Sequence, residues 1–185
     1  MIKISIIGTA GRKHDISKLD KMIYSKMVSK VRDLVNEIIK INNLTQFELV
    51  SGGAAWTDHI AISLFKEFDN DKLTLYFPCQ WDNDRHCFQS NGYRDTGNIA
   101  NYYHTLFSNK MGYNTLEEIH QIVHNNKVSI ICYNGFHNRN TYVAQSDVII
   151  ALTFNNDNIP NDGGTLDTWK KSKASLKIHI NINEL

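Results

Sequence analysis

The sequence has almost no net charge and no long apolar run. Lys and Arg number 20 against 19 Asp and Glu, so the formal net charge is +1. Proteins that bind nucleic acid usually carry a basic stripe, and its lack makes nucleic acid an unlikely partner. No apolar run approaches the ~20 residues of a membrane span, so we expect no membrane partner. Small anionic ligands stay compatible with this composition, because they need only local charge.

Cysteine is scarce, which argues against a disulfide framework and against a zinc site. Cys79, Cys87 and Cys132 are odd in number and lack the spacing of zinc ligands. Free thiols of this kind predict a cytoplasmic protein. The abundance of Asn, Ile and Lys suggests an AT-rich genome, such as that of some bacteria, phages or large viruses. For a viral protein, the predicted compartment is the host cytoplasm.

Several familiar catalytic motifs are also missing. No GxxxxGK[ST] loop occurs, which argues against ATP hydrolysis of the Walker type. Ser51 is not part of a G-x-S-x-G elbow. His120 and His124 stand four residues apart without an HExxH pattern, so we favour a solvated helix face and expect neither metal nor cofactor. Cys87 follows His86, but adjacency in sequence does not create an activated thiol.

Apolar segments of strand length alternate with segments of helical spacing along most of the chain. Parallel strands joined by helical crossovers explain this order. We therefore expect one Rossmann-like α/β domain over residues 1–185, with a mostly parallel sheet and helices on both faces. The predicted strands are 2–7, 47–50, 73–77, 148–152 and 176–182, and the predicted helices are 20–41, 54–68, 99–111, 115–123, 141–145 and 165–172.

Residues 79–136 interrupt this alternation and are interpreted as an elaboration within the domain. We expect an irregular loop over 79–97 and either a short extra strand or a packed segment over 128–133. Thr115 is a candidate cap for the helix that follows it. Tyr102, Tyr103 and His104 either cover a ligand or face the core. Whether the elaboration is a lid or an interface is left open.

Three glycine turns follow predicted strands, at 8–11, 52–53 and 163–164. A strand that passes through a glycine turn into a helix brings backbone N–H groups and the positive helix end together, which suits a phosphate. Glycine also lets the backbone approach a ligand closely. Because the carboxyl ends of parallel strands share one edge, these turns predict a binding edge. Trp56, beside the second turn, either stacks on a base or is buried.

Four further positions carry candidate ligand contacts. Arg12 and Lys13 either pair with a phosphate or are solvated charges. Asp58, near the start of a predicted helix, either accepts hydrogen bonds from ribose hydroxyls or serves as a favourable charge at that helix end. Arg139 either orients a ligand or ties down a loop. Thr165 either donates its hydroxyl to phosphate or caps a helix.

These motifs together resemble the SLOG superfamily, which includes the DprA-like, YspA-like and cytokinin-activating LOG proteins. Residues 50–54 read VSGGA, and with Thr57 and Asp58 they resemble the family's SGGAxGxD turn. Residues 8–12, GTAGR, are similar to its first-strand loop. Arg139 and Asn140, followed by SDVIIA at 146–151, resemble its RN…ADxxIA segment, and GTLDT at 164–168 resembles its phosphate loop. The resemblance covers most of the chain outside the elaboration.

The resemblance implies a Rossmann-like protein that binds a nucleotide or nucleotide-derived ligand, as a sensor or a sequestering protein. Family members often form dimers, which implies a homo-oligomer. The implied ligand-binding residues are Gly8, Thr9, Gly11, Arg12, Ser51, Gly52, Gly53, Asp58, Arg139, Asn140, Gly163, Gly164 and Thr165.

An alternative hypothesis is an enzyme of the LOG type, a nucleoside 5'-phosphate N-glycosidase (phosphoribohydrolase), or a ribosyl transferase. LOG proteins carry a PGGxGTxxE loop with a catalytic Glu. Residues 160–168 run parallel to that loop, but Thr168 occupies the position of the Glu. In an enzyme, Asp58 or Asp167 is then the candidate catalytic carboxylate that stabilises a ribosyl cation.

Overall fold

The computed structural model describes residues 1–68, 72–92, 95–160 and 163–185. Tyr93 and Arg94 of the predicted irregular loop lie outside these residues. Asn161 and Asp162, which belong to the segment compared with the LOG loop, also lie outside them.

Six parallel strands form one sheet, which confirms the expected Rossmann-like α/β fold. A separate antiparallel hairpin adds two short strands. In chain order the strands are β1 (Ile2–Gly8), β2 (Phe47–Ser51), β3 (Lys72–Phe77), β4 (Trp81–Asp82), β5 (Cys87–Phe88), β6 (Val128–Cys132), β7 (Val148–Thr153) and β8 (Leu176–Asn181).

Helices connect these strands, as the crossovers of a parallel sheet require. Asp20 caps the longest helix by accepting a hydrogen bond from the amide of Ile23 at 2.8 Å. A 3₁₀ turn, Ile182–Glu184, follows the last strand. The helices are α1 (Asp15–Lys18), α2 (Lys21–Ile41), α3 (Ile60–Glu67), α4 (Thr96–Met111), α5 (Thr115–Val123), α6 (Phe136–Val143) and α7 (Gly163–Lys171).

The helices cover both faces of the sheet, as expected. Alternate residues of each strand point to opposite faces, so Ile4 and Ile6 of β1 join the larger cluster while Ile7 joins the smaller one. Buried side chains from α2, α3, α4 and α5 complete the larger cluster. Val143 of α6 and Trp169 of α7 pack in the smaller cluster.

The strand order is β6-β3-β2-β1-β7-β8. From β1 the chain moves outward through β2 and β3 to β6, and then returns to the other side of β1 to form β7 and β8. The direction of winding therefore reverses between β1 and β7, where Gly8 pairs with Leu152. In open parallel sheets this switch point is where a crevice for ligands forms.

The elaboration is more ordered than the sequence indicated. The loop predicted over 79–97 contains the β4–β5 hairpin, and α4 begins at Thr96, so Gly97 is helical. The segment near Val128 is a true strand, because β6 pairs with β3 at the edge of the sheet. Thr115 is not the cap of α5, since the Asn114 side chain accepts the hydrogen bonds of the first amides. Thr115 is the first helical residue and is fully buried.

The helix predicted over 54–68 begins later, at Ile60. Trp56 has a positive φ of 61°, which a right-handed helix does not allow, and the chain turns through residues 55–59 before the helix starts. Burial of the whole Trp56 side chain in the core compensates for this unfavourable backbone conformation. Asp58 therefore lies in a turn before α3 and not inside the helix.

Two later helices also start earlier than predicted. The helix expected at 141–145 begins at Phe136, which places Arg139 and Asn140 inside it and not in a leading loop. The helix expected from Thr165 begins at Gly163, so both glycines belong to its first turn.

Candidate functional site

A cavity of about 400 Å³ opens at the carboxyl ends of β1 and β7. Its volume lies within the range typical of small-molecule sites. The glycine turn after β1, the start of α7, the interior of α6 and the end of β7 all contribute to its wall. Its lining includes Gly8, Thr9, Ala10, Arg12, Lys13, His14, Asp15, Lys18, Asp58, Arg139, Asn140, Thr153, Phe154, Asn155, Gly163, Gly164 and Thr165.

The turn after β1 is held by its own hydroxyl group. The Gly11 amide donates to Thr9 Oγ1 at 3.1 Å, and the Thr9 amide donates to the Leu152 carbonyl at 3.0 Å. The Thr9 hydroxyl in turn donates to the Asp15 carboxylate. We predicted phosphate contacts from the amides of this turn, but those of Thr9 and Gly11 already donate within the chain. Ligand contacts from this turn can come from its other lining groups, such as Ala10 and the Arg12 side chain.

The turn after β2 is built in the same way but is filled by the protein itself. The Gly53 amide donates to Ser51 Oγ at 3.1 Å, and the Ala54 amide donates to the Asp58 carboxylate at 3.3 Å. Arg139 Nη1 lies only 0.8 Å from the point that a Cβ on Gly52 would occupy. Gly52 thus makes room for a guanidinium, and the amides of Gly53 and Ala54 donate within the protein.

Arg139 and Asp58 form a buried ion pair in the cavity wall. Arg139 Nη1 donates to Asp58 Oδ2 at 3.0 Å, and their side chains are only 10% and 6% exposed. Arg139 Nε is buried and has no hydrogen-bond partner among the described residues. A buried hydrogen-bond donor without a partner is costly in free energy.

The start of α7 faces the same cavity. Thr165 Oγ1 donates to the Gly8 carbonyl at 2.9 Å, which ties the helix to the end of β1. The Thr165 hydroxyl is thus used structurally, while the residue lines the cavity. Asn140 Nδ2 lies 3.3 Å from the Gly164 carbonyl and helps to fix this turn. The first amides of an α-helix have no partner within the helix, so they are natural donors to an anion.

Charges of the lining favour an anionic ligand. Asp58 is paired with Arg139, and Asp15 is the other carboxylate among the lining residues that the structure describes. The further cationic residues of this described lining are Arg12, Lys13 and Lys18.

The two candidate catalytic carboxylates are not brought together. Asp58 lines the cavity, whereas Asp167 is not among the described lining residues. Lys171 Nζ donates to Asp167 Oδ2 at 2.8 Å, and Asn140 Nδ2 donates to it at 3.1 Å. Partial burial raises the pKa of Asp167, but these donors outweigh that effect, so its pKa is lowered. Asp167 therefore serves as an anchor for α6 and α7 in this geometry.

His104 supports the second glycine turn from behind. It is fully buried on α4, donates from Nε2 to the Gly53 carbonyl at 3.1 Å and accepts at Nδ1 from the Thr115 hydroxyl at 3.0 Å. Burial, together with the nearby His59, lowers the pKa of His104 to about 3. Residues of this helix were expected either to face the core or to cover a ligand. His104 faces the core, whereas Tyr103 borders a cleft beside the cavity. Trp56 is fully buried, which excludes it as an exposed base-stacking platform.

The remaining candidate clusters have structural partners. His120 stacks on His86, with ring centroids 3.3 Å apart, and His86 Nδ1 pairs with Glu117 at 2.8 Å. Partial burial raises the pKa of the Cys87 thiol, so it is not an activated nucleophile. Within the described ranges, no group of three or more His, Cys, Asp or Glu side chains is arranged to hold a metal ion.

Several residues that line the cavity were not predicted from the sequence. Thr153, Phe154 and Asn155 follow the end of β7, and the rule that ligands bind at the carboxyl ends of strands identifies them once that strand is assigned. Lys18 is the last residue of the short helix α1 after the first glycine turn, and His14 directly precedes that helix. No periodic signal marks that four-residue helix, so only the fold reveals their position.

Comparison with known proteins gives one informative relative. No protein-family model and no solved structure matches the chain. The uncharacterized protein R261 of Acanthamoeba polyphaga mimivirus is 36% identical over 186 residues, which span 98% of this chain and 97% of that protein. The chain belongs to the family of this mimivirus protein. A viral relative is consistent with large viruses, one of the sources that the composition suggested. In the part of the chain that the structure describes, no helix is long and apolar enough to cross a membrane.

Proposed function

We propose that this protein binds a nucleotide or a nucleotide-derived small molecule in the cavity between β1 and β7, as a sensor or a sequestering protein. The observation that carries the proposal is a cation-lined cavity of about 400 Å³ at the switch point of a Rossmann-like sheet. Doubly wound sheets bind ligands at this place. The resemblance to SLOG motifs supports the same ligand class.

The phosphate has a specific place in this proposal. It sits at the start of α7, where the first amides have no partner within the helix and the helix dipole favours a negative charge. Arg12, which also lines the cavity, supplies an exposed cation. These are different groups from the amides of Gly11 and Gly53, which already donate within the chain.

Binding is tested by calorimetric titration with ribose 5-phosphate and a panel of nucleoside mono- and diphosphates. We expect saturable binding by at least one of them. Arg12→Ala should weaken it about tenfold or more, because a hydrogen bond to a charged group contributes about 1.5–3 kcal/mol. Arg85→Ala is the matched control, since Arg85 lies in the hairpin loop with its side chain 82% exposed. No binding by the wild type, or equal losses in both variants, would contradict the proposal.

Hydrolysis of the N-glycosidic bond is the second candidate function, and one observation favours it. The Asp58 carboxylate lines the cavity beside the proposed phosphate position. An ionised carboxylate there is suited to stabilise a ribosyl cation. Mass spectrometry of the titrated samples separates the two functions. A pure binder returns intact ligand, whereas a glycosidase releases free base that Asp58→Asn abolishes and Asp167→Asn preserves.

The predicted homo-oligomer and the cytoplasmic location stay predictions. Size-exclusion chromatography with light scattering tests the first, and imaging of the tagged protein in its host cell tests the second.

A further inference from the structure

A small apolar cleft adjoins the cavity. Pro78, Ala100, Tyr103 and Phe136 form much of its wall, and the second glycine turn completes it. The cleft and the cavity share Ala10, Ala54 and Arg139, so the two spaces are neighbours. The cleft itself measures only about 10 Å³, which is too small for a ring without movement of its wall.

Arg12 lies over the two aromatic rings of this wall. Its guanidinium carbon is 5.4 Å from the centroid of the Tyr103 ring and 5.5 Å from that of Phe136. A guanidinium is a flat group that stacks on aromatic faces. Arg12 is exposed and its side chain is flexible, so it can leave this position at small cost. The two rings therefore present a surface that accepts a planar group and is occupied by a displaceable one.

The neighbouring cavity adds a reason for displacement. Arg12 also lines the cavity, where a phosphate attracts it. Arg139 lines both spaces, is only 8% exposed, and keeps its Nε without a partner among the described residues. A ligand with an anionic end in the cavity and a planar ring on Tyr103 and Phe136 would pass Arg139, which lines both spaces. The two adjoining spaces therefore favour a single ligand that has both an anionic end and a planar ring.

We propose that Tyr103 and Phe136 are the base-stacking residues of the site, and that they take the heteroaromatic ring of the ligand where the Arg12 guanidinium lies. Arg12 then turns towards the phosphate in the cavity. This inference rests on the proposed nucleotide binding and extends it, because it assigns contact with the base to Tyr103 of α4 and Phe136 of α6. The Gly52–Gly53 turn then borders the base and not the phosphate.

The test compares ligands with and without a base. Wild-type protein and the variants Tyr103→Leu, Tyr103→Phe and Phe136→Leu are titrated with AMP, GMP, CMP, UMP and ribose 5-phosphate. Stacking of a base on an aromatic side chain contributes about 1–3 kcal/mol, which is about 5- to 150-fold in affinity. Tyr102→Leu is the matched control, because Tyr102 is the adjacent tyrosine on α4, is 57% exposed and is not among the cleft-lining residues. Thermal unfolding of each variant confirms that it folds.

We expect at least one nucleoside monophosphate to bind about tenfold or more tightly than ribose 5-phosphate. Tyr103→Leu and Phe136→Leu should remove that advantage without weakening ribose 5-phosphate, while Tyr103→Phe and Tyr102→Leu should retain it. If the base adds nothing, or its advantage survives both leucine variants, the stacking proposal is overturned while nucleotide binding stands. If the wild type binds none of the five compounds, the proposed function fails and this inference fails with it.

Discussion

Two turns at the same edge of the sheet share one local design and face different surroundings. In each, a hydroxyl oxygen at the end of a strand accepts a hydrogen bond from the amide of a glycine two residues later, at 3.1 Å in both cases. Both glycines, Gly11 and Gly53, have positive φ angles, of 75° and 68°. Glycine adopts this conformation without the penalty that other residues meet. The local sequence therefore builds the same turn twice.

The difference lies in what fills the space beside each turn. Beside the first turn the cavity stays open, and Thr9 and Arg12 line it. Beside the second turn the Arg139 side chain lies against Gly52 and pairs with Asp58. A glycine after a strand thus predicts that the backbone needs room, but it does not identify the group that uses the room.

The largest expected effect comes from breaking the ion pair that fills the second turn. Asp58→Ala leaves the Arg139 guanidinium buried without a counter-charge, which typically costs about 3–5 kcal/mol in unfolding free energy. Replacing both residues, in Asp58→Ala/Arg139→Met, should recover much of that loss because no buried charge remains. Urea denaturation of Asp58→Ala, Arg139→Met and the double variant measures the coupling free energy between the two side chains. A loss below about 1 kcal/mol for Asp58→Ala would show that water already solvates Arg139.

The second largest loss of stability is expected from a substitution of Gly8, where β1 approaches β7 closely. A Cβ on Gly8 would lie 2.1 Å from the Leu152 carbonyl oxygen, so Gly8→Ala forces β1 and β7 apart. We expect a loss of about 3 kcal/mol, at the upper end of overpacking effects. Gly164→Ala is the matched control, since its nearest neighbour is the Asn140 side chain at 3.3 Å. That change should stay within about 1 kcal/mol, and similar costs for both would contradict the packing described at the switch point.

A smaller effect is expected from the histidine behind the second turn. The pKa of His104 is lowered to about 3 in the fold, against about 6.5 in an unfolded chain. The unfolded state therefore binds the extra proton first, and stability is lost as the pH falls below about 6.5. Between pH 7 and pH 5 this residue should contribute a loss of about 2 kcal/mol.

His104→Gln should flatten this pH dependence, whatever its effect on stability at pH 7. His137→Gln is the matched control, because that side chain is 85% exposed. Urea denaturation at several pH values between 7 and 5 provides the comparison. An unchanged slope in His104→Gln would show that other groups cause the acid sensitivity.

The fold was accessible to prediction from sequence because its signals are local. Strands such as β1 and β7 are strongly apolar, and α2 repeats its apolar residues with helical spacing. Each of these elements can therefore be predicted from its own residues alone. The delayed start of α3 was not accessible. Trp56 takes a positive φ because its ring fills the core, which is a tertiary cause that local propensity does not contain.

The candidate site was predictable only in outline. The position of the three turns at one edge follows from the parallel order of the strands. The occupant of each turn does not, because Arg139 reaches Gly52 from α6, a distant part of the chain. The contact of Arg12 with Tyr103 and Phe136 likewise joins three separate elements. Side-chain contacts of this kind depend on the packed structure and leave no short sequence pattern.

The most direct measurement is a titration of the ¹⁵N-labelled protein with ribose 5-phosphate, followed by amide chemical shifts. We expect saturable changes at Gly164 and Thr165, at the start of α7, and at Arg12. We expect much smaller changes at Gly53 and Ala54, whose amides donate to Ser51 and Asp58. The largest changes at Gly53 and Ala54, or no saturable change at the start of α7, would contradict the assignment of the anion site.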